Sequence, residues 1–179
     1  MDRNNAWYSI PDNGWVWDER NWTLVTSPDP NWPGPTAYIV QEGPTWWCGA
    51  QTHGRWISSK NFGWLDVLPA GVYVFQVTFD LTGFDPTSAR VAGVWSVDDT
   101  GVMTINGNFV ANQTNTGRDN WQNVPPLNFE ITSGFVQGTN VLQVAVTNIQ
   151  DSPWGNPKPD GLLVAINQAS AHAYETGDD

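Results

Sequence analysis

Charge is what this sequence has least of. Asp, Glu, Lys and Arg make up 14% of its 179 residues, against about a quarter in an average soluble domain. The shortfall is lopsided: 7 basic residues stand against 18 acidic ones, a net charge of −11. A chain so acidic repels a phosphate backbone and an anionic lipid surface alike, which sets aside nucleic acid and membrane as partners. The simplest use of the excess is a solvated surface. Cysteine is nearly missing. With Cys48 alone no intrachain disulfide can form. A lone thiol beside Trp46 and Trp47 reads as a small buried hydrophobe before it reads as a nucleophile.

No apolar run approaches a membrane span, and the opening MDRNNAWYSIPDNG has no signal-peptide core. That opening fits a mature or excised domain, or a virion protein assembled in the cytoplasm; an extracellular or surface-exposed location is expected. Catalytic signatures are equally scarce. There is no Gly-x-Ser-x-Gly elbow, no His-Glu-x-x-His and no glycine-rich phosphate loop. The two histidines, His53 and His172, are too few for a transition-metal cluster. Cys48 with His53 lacks a third, orienting group. A carboxylate pair such as Glu42 with Asp66 is one choice among many on so acidic a chain. A non-enzyme is expected.

Periodicity supplies the fold. From Gly71 the sequence GVYVFQVTFDL places Tyr73, Phe75, Val77, Phe79 and Leu81 on one side, with Val74, Gln76, Thr78 and Asp80 on the other. That is a strand with one buried face. A turn over Gly83–Pro86 leads to a second strand carrying Ala89, Val91, Gly93 and Trp95. A second turn, Asp98 to Gly101, leads to a third strand that stops at Asn106-Gly107, a strong hairpin signal. Alternation returns in Leu127–Thr132, in Val141–Asn148 with Leu142, Val144 and Val146 inward, and in Gly161–Ala171 with Leu162, Val164 and Ile166 inward. Short strands are also expected at Thr36–Gln41 and Arg55–Lys60. No segment keeps helical spacing over three turns, so the class is all-β, a sandwich or barrel.

The N-terminal third differs. Residues 1–35 are punctuated by Pro, Asn, Asp and Gly, yet hold Trp7, Tyr8, Trp15, Trp17, Trp22 and Trp32. Disordered segments are poor in aromatics, so 1–35 is expected to be an irregular Trp-rich arm packed on the domain. The β-sandwich then spans 36–173, and 174–179 is a frayed acidic tail.

The series GVYVFQVTFDLTGFDPTSA, VAGVWSVDDTGVMTING, FEITSGFVQGTNVLQVAVTN and PDGLLVAI, within residues 64–171, resembles the galactose-binding-domain-like jelly roll of many carbohydrate-binding modules. The resemblance implies a two-sheet antiparallel jelly-roll sandwich and a carbohydrate ligand. Its matching residues, Trp95, Asn106, Gly107, Gly138 and Asn140 among them, are scaffold residues. It also implies one structural Ca²⁺ held by carboxylates and carbonyls, for which Asp98 and Asp99 are the donors, with Asp66 and Asp160 as further candidates. The competing reading of Asp98 and Asp99 is turn chemistry, which the absence of an alternating Asp pattern favours.

Of the twelve tryptophans, Trp121 and Trp154 stand in polar loops. Sugar rings stack their C–H faces on aromatic planes while amides and Arg bond the hydroxyls. That mixture occurs in three loops, which nominate Trp46, Trp47, Arg55, Trp121, Gln122, Trp154 and Asn156 as ligand-binding residues. Packing on the sandwich would use the same indoles. Two functions compete. One is a non-catalytic module for a glycan or polysaccharide. The other is a structural or interaction protein (virion surface, decoration or adhesion subunit) docking on neighbouring subunits through its arm.

Overall fold

Alternation in the sequence becomes alternation in burial. The computed structural model describes residues 22–32, 34–39, 56–60, 68–114, 126–149 and 161–174. Within them lie ten strands: β1 (Thr23–Thr26), β2 (Tyr38–Ile39), β3 (Ile57–Ser58), β4 (Gly71–Asp80) and β5 (Phe84–Asp98). The others are β6 (Thr100–Ile105), β7 (Asn108–Gln113), β8 (Leu127–Ile131), β9 (Thr139–Asn148) and β10 (Gly161–Ala173). Along β9 every second side chain from Asn140 to Asn148 is buried. Among the described residues there is no helix.

The strands make two five-stranded antiparallel sheets, A in the order β1-β4-β9-β6-β7 and B in the order β2-β3-β10-β5-β8. Tyr73, Phe75, Met103, Leu142, Val144 and Val146 from sheet A meet Trp95, Val97, Leu162 and Val164 from sheet B in one core. The architecture is a β-sandwich. From β4 on, the chain alternates between layers: β4 in A, β5 in B, β6 and β7 in A, β8 in B, β9 in A and β10 in B. The layers are also tied at one edge. Leu24 N–H donates to Pro35 C=O at 2.8 Å, and Thr23 bridges Thr36 just before β2.

Three features depart from the alternation expected. Thr23–Thr26, expected to be irregular, is an edge strand on β4, with Leu24 buried opposite Phe75 and Trp22 buried beside it. Four residues are too few to show a period. The free edge of β4 supplies the order that local sequence does not. The Gly83–Pro86 turn is instead Leu81–Gly83, and β5 starts at Phe84. Pro86 is tolerated because the β5–β10 ladder is interrupted between Ser170 and His172, where no amide of residue 86 is required. Leu127, expected inward, is 44% exposed at the end of edge strand β8.

Both ends of the sandwich are closed by side-chain amides. At the β6–β7 hairpin, Asn106 has φ 50° and Gly107 φ 80°, the left-handed pair that a two-residue turn requires. Asn106 Nδ2 donates to Gly134 C=O at 2.9 Å and to Asn140 Oδ1 at 2.8 Å, while its Oδ1 accepts Val141 N–H at 2.8 Å. Asn140, fully buried, also accepts Val136 N–H and donates to the carbonyls of Val136 and Gly138. Nearby, Asp80 and Asp85 each accept the N–H and hydroxyl of a Thr two residues on, Thr82 and Thr87. These bonds hold both carboxyls below the ordinary Asp range.

Candidate functional site

A concavity among the described residues arises from an irregularity in sheet B. Between Ile166 and Gln168 the β5–β10 register slips, leaving Asn167 as an extra residue opposite Gly93 and Ala92. Such a bulge bends its strand and turns side chains out of the regular pleat. Gly93 makes the close approach possible. A Cβ there would lie 2.0 Å from Ala165 C=O. On the other flank β8 pairs with β5, setting Glu130 opposite Ala92 and Asn128 opposite Val94.

The result is an open groove of about 430 Å³ floored by Ala92 and Gly93 and walled by Asn128, Glu130, Asn167 and Gln168. Its volume falls within the range of small-ligand pockets, ~300–1,000 Å³. Glu130 Oε1 lies 2.8 Å from Arg90 Nη2, with both side chains about half exposed. Side-chain amides donate and accept, as sugar hydroxyls do, so three amides and a carboxylate form a lining that hydroxyls can satisfy. Acid–base cleavage of a glycosidic bond needs two carboxyl groups across the bond. Glu130 is the single carboxylate lining this groove.

On the side of the groove toward Asp98, the β5 and β10 strands of sheet B are buried on both faces. Val94, Ser96, Asp98, Leu163 and Ala165 point away from the core and are buried as well. Trp56 and Ser58, flanking core-facing Ile57, are buried too.

At the far end of that region stand Asp98 and Asp99, 5% and 2% exposed and joined by a cis peptide bond. Asp99 Oδ2 accepts Ile149 N–H at 2.7 Å, which ties the exit of β9 to the β5–β6 turn. The partner lies fifty residues away in sequence. Gln113 and Asn148 close the same end. Gln113 Nε2 donates to Trp95 C=O at 3.0 Å, and Asn148 Nδ2 to the carbonyls of Leu68 and Pro69 at 3.2 and 3.3 Å. Their amide oxygens are buried without a hydrogen-bond partner. Among the described residues no three His, Cys, Asp or Glu side chains gather at a point.

Of the residues nominated from sequence, Asp98 and Asp99 are brought together. Trp46, Trp47, Arg55, Trp121, Gln122, Trp154 and Asn156 lie outside the described residues, as do Cys48, His53, Glu42, Asp66 and Asp160. His172 is exposed on β10, its N–H donating to Ser88 Oγ. The groove residues Asn128, Glu130, Asn167 and Gln168 were not foreseen. The signal for them is the pair Asn167-Gln168 breaking alternation in β10, together with Gly93 inside a strand, a mark of a bulge or close backbone approach. No protein-family model matches the chain, and no curated protein matches it in sequence.

Proposed function

We propose that the chain is a non-catalytic glycan-binding module on a galactose-binding-domain-like jelly roll. The alternation of the chain between sheets from β4 to β10 supports the jelly-roll topology. The observation that carries the function is the amide-lined groove at the β10 bulge, with its single carboxylate. A net charge of −11 directs the choice to neutral glycans, since sulfated or uronate-rich chains would be repelled. Such a ligand places the protein outside cells or on a surface. A structural or adhesion role is favoured by a different feature, the open outer face of sheet A.

The test is a glycan array followed by titration calorimetry on any neutral glycan retained. Asn128→Ala and Asn167→Ala should each weaken binding about 5- to 13-fold, the loss of about 1–1.5 kcal/mol per hydrogen bond. Failure to retain any glycan would refute the reading. Loss of binding in Trp121→Ala or Trp154→Ala, with Asn128→Ala and Asn167→Ala silent, would move the site to the loops.

A further inference from the structure

The turn that ends β6 joins a structural necessity to a chemical weakness. A two-residue hairpin needs left-handed residues, and Asn106 at φ 50° and Gly107 at φ 80° supply them. Asn-Gly is also the pair in which an asparagine most readily loses its amide, because glycine has no Cβ to shield its backbone nitrogen. In that reaction the Gly107 nitrogen gives its proton to hydroxide and bonds to Asn106 Cγ. The Cγ–Nδ2 bond breaks, and Nδ2 leaves as ammonia with a proton taken from water. A further water then opens the cyclic imide at either carbonyl carbon, leaving aspartate or the chain-lengthened isoaspartate.

The fold opposes the first step. Both hydrogens of Asn106 Nδ2 are committed, to Gly134 C=O and to Asn140 Oδ1, while Asn106 Oδ1 accepts Val141 N–H. The backbone adds another tie, Asn106 N–H donating to Val141 C=O at 2.8 Å. These partners belong to β9 and to the loop that leads into it, and Asn140 is fully buried. Gly134 sits tight over the hairpin, where an added Cβ would lie 3.0 Å from Ile105 Cγ2. Hydrogen bonds to a carboxamide run near its plane. Ring closure must present the face of that plane to the Gly107 nitrogen, so the side chain has to turn and give up all three of its bonds.

We infer that Asn106 is a site of spontaneous deamidation, held unreactive by the folded hairpin end, whose conversion unlatches that end for good. The product cannot restore the contact. Aspartate is ionised at neutral pH and has no hydrogen to donate. An oxygen would then replace Nδ2 against Gly134 C=O and Asn140 Oδ1, both acceptors. Isoaspartate adds a methylene to the backbone of a turn that has no room for it. Each local opening of this end therefore exposes the chain to an irreversible step. None of this depends on what the groove in sheet B binds.

Peptide-mapping mass spectrometry on the full chain, aged in mildly alkaline buffer, tests it. Aspartate and isoaspartate at position 106 should accumulate at least ~100-fold more slowly in the native protein than in concentrated urea, since three bonds are lost at roughly 5- to 13-fold each. Asn140→Ala, which frees one hydrogen of Asn106 Nδ2, should raise the native rate about fivefold or more. Asn106→Asp made directly should unfold at lower urea than Asn108→Asp, which places the same charge on the same turn. A wild-type native rate within about fivefold of the urea rate, no more than one bond accounts for, overturns the inference. An Asn106→Asp variant as stable as Asn108→Asp overturns it as well.

Discussion

Replacing Asn140 removes more bonding than any other single side chain shown. Its Oδ1 accepts from Val136 N–H at 2.9 Å and Asn106 Nδ2 at 2.8 Å, and its Nδ2 donates to Val136 C=O at 2.8 Å and Gly138 C=O at 2.9 Å. In Asn140→Ala the Asn106 amide keeps Gly134 C=O. Val136 N–H and two carbonyls lose the partner that Asn140 supplied. At about 1–1.5 kcal/mol for each abandoned group the cost is about 3–5 kcal/mol, a large share of the ~5–15 kcal/mol of a whole domain. Urea unfolding followed by tryptophan fluorescence measures it directly. Asn140→Asp sharpens the test. At neutral pH a carboxylate would face two carbonyl oxygens in a dry site, so its pKa rises above the unfolded value. The deficit relative to wild type should then be largest at pH 7 and shrink as pH falls through that raised pKa toward 4, where a protonated oxygen can donate once. A loss below ~1 kcal/mol in Asn140→Ala, or an Asp variant whose deficit ignores pH, would show that water or a rearranged loop replaces the bonds.

Three further outcomes follow from the same geometry. Gly93→Ala puts a methyl 2.0 Å from Ala165 C=O, backbone against backbone, and should lower stability by more than ~3 kcal/mol or prevent folding, read by thermal melts. Asp29 is held below the ordinary carboxyl range by its bond to Lys60 Nζ at 2.8 Å and by Asn31 N–H. A depressed folded pKa means the stabilisation is present above about pH 4 and lost as pH falls through the folded value, so Lys60→Met should cost stability at pH 7 and little at the acid end of a denaturation series. If Asp98 and Asp99 are purely structural, EDTA and millimolar Ca²⁺ leave Tm unchanged. A rise of ~4 °C or more with Ca²⁺ would instead recruit them, and the unpartnered oxygens of Gln113 and Asn148, to a cation.

The sequence made legible whatever rests on one strand at a time. Tyr73, Phe75, Leu142, Val144, Leu162 and Val164 announce their inward face by period two, and Asn106-Gly107 announces its hairpin by conformational need. What depends on a partner was hidden. β1 exists because β4 has a free edge, and the burial of Val94 and Ser96 on their outward side is not announced by any period in β5. The groove needs three strands in register with a slip at Asn167, and no single stretch encodes that conjunction. Pattern breaks mark such places without saying what they build: Gly93 and Asn167-Gln168 each interrupt a clean period, and they turn out to face one another.

The layered weaving of the chain has a consequence for how it is made. Gly71 lies against Asn148 and Phe84 against Ala173, so the central strand pairs join distant parts of the sequence. A ribosome adding roughly 5–20 residues per second must therefore hold Tyr73, Phe75 and Trp95 out, unsheltered, for several seconds before β9 and β10 emerge to cover them. Birth, rather than maturity, is when this protein most needs a chaperone, and a premature stop just before β10 releases a polypeptide in which β3 and β5 both lack their β10 partner.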